Sequence, residues 1–117
     1  MFDAKLGAQS FTEKQVVDAT HPAVILTMKV KANQGELAVG LIVAKDGNGD
    51  IVSYDSAGAS PLNTPVGVLT MKVDSTKETV GNVLRHGTTV KSSLLVGTAA
   101  PSASDLTKLE DAGIFAI

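Results

Sequence analysis

Cysteine is absent from this 117-residue sequence, and aromatic residues make up only 3% of it, with no tryptophan at all. The lack of cysteine excludes a disulfide scaffold, a thiolate zinc site and a cysteine nucleophile. With so few aromatic rings, the core has to be packed from Val, Leu, Ile, Ala and Met. A protein that binds nucleic acid by stacking its bases on aromatic side chains is not expected either.

An excess of positive charge is also missing, because ten Lys and Arg stand against twelve Asp and Glu, for a net charge of -2. Such a chain has no general electrostatic attraction for a phosphate backbone. We therefore expect no nucleic-acid partner.

Long apolar runs are missing as well. The longest, residues 37–44, is too short to cross a bilayer, and residues 1–5 do not resemble the start of a secretory signal. We expect a soluble protein made in a cytoplasm, with no membrane partner. Its length is that of one compact domain with a single core.

The first part of the chain shows no sustained periodicity of two or of 3.6 residues, and it ends at His21-Pro22, where proline disfavours helix in the preceding residue. We predict that residues 1–21 form an irregular arm that is flexible until bound, with a weak helical tendency over residues 12–18. Residues 22–117 then form the single domain. The apolar side chains with which the arm would bind a partner are Phe2, Leu6, Phe11, Val16 and Val17.

From Pro22 onward the pattern is that of strands. Residues 24–30 alternate as in a strand with one buried face, and residues 36–45 are nearly all apolar, as in a strand covered on both faces. Residues 46–50 are rich in Asp, Asn and Gly, which favours a hairpin turn. Further strands are predicted at residues 51–54, 65–73, 78–86 and 88–96, with turns at residues 74–76 and at Gly87.

The C-terminal part switches to a helical pattern. Ser102 or Ser104 can cap a helix, Leu106, Leu109 and Ala112 share one face, and Gly113 ends it. The apolar residues 114–117 predict a last strand. The predicted fold is mainly β: a small antiparallel barrel or sandwich-like domain with one short C-terminal helix and an irregular N-terminal arm.

Few residues are placed for catalysis or metal binding. Asp46, Asn48 and Asp50 match the first ligand positions of a calcium loop, but Ile51 and Ala57 stand where the loop requires glycine and glutamate, so an ordinary turn is favoured. The two histidines, His21 and His86, have no acidic or cysteine residue at ligand or triad spacing, and no nucleophile motif is present. We predict no enzyme activity, no cofactor, no metal and no small-molecule substrate.

Two segments, residues 22–30 and 65–73, share six of nine residues at a spacing of 43. They are either equivalent strands or a chance similarity. Each contains a Met-Lys pair, at Lys29 and Lys72, similar to the modified lysine of biotinyl and lipoyl carrier domains. In those domains the lysine lies at a hairpin tip, whereas here the pattern places both lysines inside strands, so a carrier domain is only an alternative.

The order of the parts resembles the head decoration protein family of lambda-like phages. The resemblance covers residues 34–117 and is carried by four segments: residues 49–54 (GDIVSY), 64–69 (TPVGVL), 83–90 (VLRHGTTV) and 105–115 (DLTKLEDAGIF). The arm does not align with that pattern, and the tryptophan of the lambda-type protein has no counterpart here.

The resemblance implies a capsid-stabilising protein that binds the major capsid protein as a homotrimer, at the three-fold and quasi-three-fold positions of the expanded head. It would be assembled in the bacterial cytoplasm and lie on the outer surface of the virion. A different phage structural module, from a tail or baseplate, and a monomeric binding domain remain alternatives.

Overall fold

The structure, a computed structural model, describes residues 23–117. Within them the fold is mainly β with one α-helix near the C-terminal end, as predicted; the predicted arm lies outside the described residues. The strands are β1 (Val24–Lys29), β2 (Glu36–Leu37), β3 (Ile42–Lys45), β4 (Ile51–Ser53), β5 (Gly67–Leu69), β6 (Val73–Asp74), β7 (Val80–Thr89) and β8 (Ile114–Ala116), with a 3-10 turn at Lys91–Ser93 and the helix α1 at Ala103–Asp111.

The main sheet has the strand order β1-β7-β5-β3-β4, and all of these neighbours are antiparallel. β8 adds to β7 in parallel, and β2 and β6 form a separate small pair. The sheet curls so that the chain just after β1 reaches β4 at the opposite edge, where Val30 and Ile51 form a parallel bridge. The main-chain N–H of Lys31 donates to the carbonyl oxygen of Ile51 at 3.1 Å. The barrel is therefore closed at that point.

Two apolar clusters lie on the two faces of this sheet, because successive side chains of a strand point to opposite faces. The inner cluster consists of Val30, Leu37, Leu41, Val43, Ile51, Leu69, Val73 and Val83. The outer cluster, which packs against α1 and β8, consists of Ile42, Ala44, Val52, Tyr54, Val68, Leu84, Leu94, Leu109 and Ile114. β3 contributes to both clusters, which confirms that it is covered on both faces.

The predicted strand over residues 36–45 is instead two strands with a turn between them. β2 pairs with β6, and β3 pairs with β4 and β5. Gly40 lies in the turn with a φ of +89°, a conformation that glycine adopts without strain. An apolar run cannot reveal such a break, because the residues on both sides of Gly40 are apolar. The segment 65–73 is divided in the same way, into β5 and β6.

The predicted turn at Gly87 is wrong, because β7 continues through it to Thr89. Gly87 donates its N–H to the carbonyl oxygen of Gly113 at 3.1 Å and begins the parallel pairing with β8. The partner strand comes from the far end of the chain, so local sequence gave no sign of it. The strand predicted over residues 88–96 accordingly ends early, in the 3-10 turn.

The helix and the last strand agree with the prediction. Ser102 is the N-cap of α1, and its hydroxyl accepts from the N–H of Asp105 while the Asp105 carboxylate accepts from the N–H of Ser102. Such a reciprocal pair satisfies two N–H groups that a helix start leaves unbonded. Leu109 is fully buried, and Gly113 has a φ of +93° where the chain turns into β8.

The two similar segments, residues 22–30 and 65–73, flank β7 in matching register. Leu26 and Leu69 both lie opposite Val83, and Ile25 and Val68 both lie opposite Leu84. The two segments are thus equivalent in position along β7, one on each side of it.

Candidate interaction surface

Within residues 23–117, the surface that stands out is the first half of strand β1, whose apolar side chains are half-exposed on both faces. Val24, Ile25 and Leu26 are each 46–47% exposed. The prediction of one buried face is wrong for this part of the strand, because no element within residues 23–117 packs over it. Three consecutive apolar residues place apolar side chains on both faces of a strand, so the sequence did contain a sign of this surface.

The outer edge of β1 also has no strand partner among the described residues. β1 is the terminal strand in the order of the described sheet, with β7 on one side only. The charged residue of the strand is its last one, Lys29, whose Nζ lies 3.8 Å from Oδ1 of Asp50. Edge strands usually carry charges, bulges or a cover that block pairing with another chain. The apolar half of β1 has no charged side chain of its own.

An unusual arginine lies on the neighbouring strand. The pairing of β1 with β7 slips between Val24 and Ile25, which leaves Arg85 without an opposite residue. Its Nη1 is 3.5 Å from the sulfur of Met28, a weak acceptor, and its Nε is buried without a hydrogen-bond partner. A buried donor without a partner loses its hydration without compensation. The sequence contains no sign of this setting of Arg85, because it depends on the register of β1 against β7.

The predicted binding residues of the arm, Phe2, Leu6, Phe11, Val16 and Val17, lie outside the described residues. The described part of the chain begins at residue 23, directly before the exposed strand β1.

The two candidate carrier lysines occupy different settings. Lys29 lies at the end of β1, as the pattern predicted, and contacts Asp50. Lys72 is not inside a strand but in the connection between β5 and β6, with its Nζ 3.5 Å from a carboxylate oxygen of Glu36. Neither lysine projects from the tip of a hairpin, which is the arrangement that the carrier domains present.

The loop of residues 46–50 is a hairpin turn between β3 and β4, as predicted. One carboxylate oxygen of Asp46 accepts from the N–H groups of Asn48 and Asp50, each at 2.9 Å. These backbone bonds, the bond from Asp50 foremost, hold the pKa of Asp46 below its usual value. Asp46 therefore has a structural role in the turn.

Other candidate sites are sparse. In the described part of the chain, no group of three or more His, Asp or Glu is arranged to hold a metal ion. His86 is exposed, with its Nδ1 close to Gly113, and His21 lies outside the described residues. A depression of about 680 Å³ lies beside β4 and is lined in part by Gln34, Ser53 and Tyr54. The amide of Gln34 already donates to the carbonyl oxygens of Lys31 and Ile51.

A buried polar network joins the sheet to α1. The Tyr54 hydroxyl donates to Asp105 at 2.8 Å, and the N–H of Ser102 donates to the other carboxylate oxygen at 2.9 Å. Burial by itself raises the pKa of Asp105, but the bonds from Ser102 and Tyr54 outweigh it and hold this pKa below its usual value. Burial, and then the bond to Asp105, raises the pKa of Tyr54 to about 12. Both groups are satisfied within the network, which supports a structural role.

The chain matches no model of a known protein family and no curated protein. A function for it therefore rests on its own residues. None of the helices found within residues 23–117 combines the length and the apolar character that crossing a membrane requires.

Proposed function

We propose that this chain is a capsid decoration protein, which binds as a trimer to the major capsid protein at the three-fold and quasi-three-fold sites of an expanded phage head. On the outer surface of the head it stabilises the shell against the pressure of packaged DNA. The sequence resemblance over residues 34–117 supports the proposal, as does a fold in which a β-barrel is followed by a short helix and a last strand.

The observation that carries the proposal is the apolar strand β1, which within residues 23–117 is half-exposed and open along one edge, and which begins at Val24, just after the predicted arm. A soluble protein seldom leaves an apolar edge strand open, because such an edge pairs with other chains. A protein whose task is to attach to another protein needs such a surface. The arm and the exposed strand together form a continuous segment that can bind by adding a strand to a partner sheet.

Binding through an extended segment suits a trimer. Ordering an arm costs conformational entropy, so one arm binds weakly. Three arms on one trimer are linked, and the second and third bind at a high effective concentration. If the docking surface exists only in the expanded head, the protein stabilises that state by its difference in affinity for the expanded and the precursor shell.

The test is to mix the purified chain with undecorated, expanded heads of the phage that encodes it and to measure co-sedimentation. We expect saturable binding of trimers. Deleting residues 1–20 is expected to abolish binding, while analytical ultracentrifugation still finds trimers. Two double variants of the full chain test the arm more finely. The variant with Val16→Asp and Val17→Asp is expected to weaken binding to heads. The control, with Lys14→Ala and Gln15→Ala, is expected to leave binding unchanged.

The outcomes separate the alternatives. Heads that bind none of the full-length protein contradict the proposal, and unimpaired binding after the deletion contradicts the role of the arm. Rings or tubes that ignore heads indicate a tail or baseplate module, and a particle of 12.0 kDa indicates a monomeric binding domain. A mass shift on Lys29 or Lys72 after co-expression with a biotin or lipoyl ligase indicates a carrier domain.

A further inference from the structure

The barrel is closed at one end of β1 and open at the other. Beyond Lys29 the chain meets β4 through the bridge of Val30 with Ile51. Along β1 itself, the edge that faces away from β7 has no strand partner within residues 23–117. An extended segment can therefore lie along this edge and continue the sheet.

Side chains on both faces of β1 are ready to pack against such a segment. Directly opposite residues on paired strands point to the same face. Leu26 lies opposite Val83 of the inner cluster, and Ile25 lies opposite Leu84 of the outer cluster. An added strand with apolar side chains at alternating positions would extend both clusters and cover the half-exposed residues.

The setting of Arg85 indicates which charge a segment bound along β1 should carry. Within residues 23–117 Arg85 forms no ion pair. Its Nη1 lies at Met28 of β1, its Cδ lies beside Gly67 of β5, and its buried Nε has no partner. The guanidinium is thus held over β7 and reaches β1. A carboxylate can bind the two terminal nitrogens of a guanidinium through two parallel hydrogen bonds, and this contact does not need the buried Nε.

We propose that the open edge of β1 and Arg85 form a docking site for an extended, apolar segment of the shell protein that carries a carboxylate to meet Arg85. This inference rests on the proposed function and adds the chemistry of the partner. Pairing with β1 of a second copy does not supply that chemistry, because the strand VILTMK contains no acidic residue and each Arg85 would stay unpaired.

The test combines hydrogen exchange with a charge variant. Amide exchange of β1 is followed by mass spectrometry in the full chain alone and with an excess of undecorated, expanded heads, and binding to heads is titrated for Arg85→Met and Lys77→Met. Methionine keeps an aliphatic stem and removes the unsatisfied donor, so Arg85→Met should fold. Lys77 is an exposed lysine in a turn and serves as the matched control.

We expect the heads to slow exchange in β1. Arg85→Met should bind heads about 10- to 100-fold more weakly, the range for losing a hydrogen bond between charged groups. Lys77→Met should change affinity by less than about twofold, as for a surface charge away from the contact.

Three results overturn the inference and leave the proposed function standing: heads that bind without slowing β1 exchange, Arg85→Met that binds as well as the unchanged chain, and slow exchange, in the free chain, of the β1 amides that face away from β7. In the last case, two further measurements identify what occupies the edge. If deletion of residues 1–20 speeds the exchange of these amides, the occupant is the chain's own segment. If their exchange depends on protein concentration, the occupant is a second copy. Failure of the unchanged chain to bind heads overturns both proposals.

Discussion

At the scale of single residues, Asp105 ties the helix to the sheet. Its side chain accepts hydrogen bonds from the Tyr54 hydroxyl and from the N–H of the N-cap residue Ser102, and it is 6% exposed. Removing one donor leaves a buried carboxylate oxygen without a partner, which costs more than the hydrogen bond itself contributes. The network should therefore be visible in the stability of the protein.

We predict that Tyr54→Phe lowers the free energy of unfolding at neutral pH by about 1–3 kcal/mol. Because the folded pKa of Asp105 is lowered, its contribution is present above the unfolded pKa and is lost as pH falls through the folded pKa. The difference between Tyr54→Phe and the unchanged protein should therefore shrink at acid pH. Urea denaturation at several pH values measures it, with Thr98→Val, at an exposed position, as the control. A difference that stays constant with pH would contradict the role of the ionised carboxylate.

At the scale of elements, the approach of β5 to β7 depends on a residue without a side chain. A Cβ added at Gly67 would lie 2.4 Å from Cγ1 of Val83 and 2.5 Å from the carbonyl oxygen of Leu84. These distances are far below van der Waals contact, and one of the atoms belongs to the backbone. Gly67 therefore sets how closely the two strands can pack.

We expect Gly67→Ala to lower the free energy of unfolding by about 1–3 kcal/mol, the usual range for overpacking a well-packed core. Gly47, in the hairpin turn, has nothing within 4 Å of an added Cβ. Gly47→Ala should therefore change stability by less than about 0.5 kcal/mol. Thermal and denaturant unfolding of the two variants compare them directly. Equal stabilities would show that the strands can separate at little cost.

The two similar segments show how position in the sheet overrides local sequence. β5 is buried because β3 lies on its other side, whereas β1 has no strand from residues 23–117 on its other side and is exposed. Residues 26–30 and 69–73 have the same sequence, Leu-Thr-Met-Lys-Val. Its leucine is fully buried in β5, as Leu69, but 46% exposed in β1, as Leu26. The periodicity predicted two strands, and only their neighbours decided which one is covered.

At the scale of the whole molecule, closure of the barrel depends on a few polar contacts. The amide of Gln34 donates to the carbonyl oxygens of Lys31 and Ile51, at 2.8 and 3.1 Å, beside the bridge between Val30 and Ile51. These bonds connect the two edges of the sheet across the closure. The remainder of the β1 edge has no such connection to β4 in the part of the chain that the structure describes.

Gln34→Ala is expected to lower the free energy of unfolding by about 1 kcal/mol, the scale of one or two net hydrogen bonds, and to speed amide exchange at Lys31. Lys77→Ala, in an exposed turn, serves as the control. Hydrogen exchange measured by NMR distinguishes local opening of the closure from global unfolding. Unchanged exchange at Lys31 would mean that the bridge holds without the amide.

Much of the architecture followed from the sequence because the signals were local. The period-two strands, the hairpin at residues 46–50 and the capped helix ending at Gly113 each depend on residues close together in the chain. The breaks inside residues 36–45 and 65–73 escaped prediction because apolar residues lie on both sides of each break. The continuation of β7 through Gly87 escaped it because the partner strand β8 lies some 27 residues further along the chain.

The sequence by itself determined that this is a small, cysteine-free, aliphatic β-domain, because composition and periodicity constrain which surfaces can be buried. Only the tertiary structure decided that, within residues 23–117, β1 is an edge strand with half-exposed apolar side chains, Arg85 has no anionic partner, and the sheet closes at the bridge between Val30 and Ile51. Each of these depends on which strands become neighbours. That choice is set by packing across the whole domain and not by any short stretch of residues.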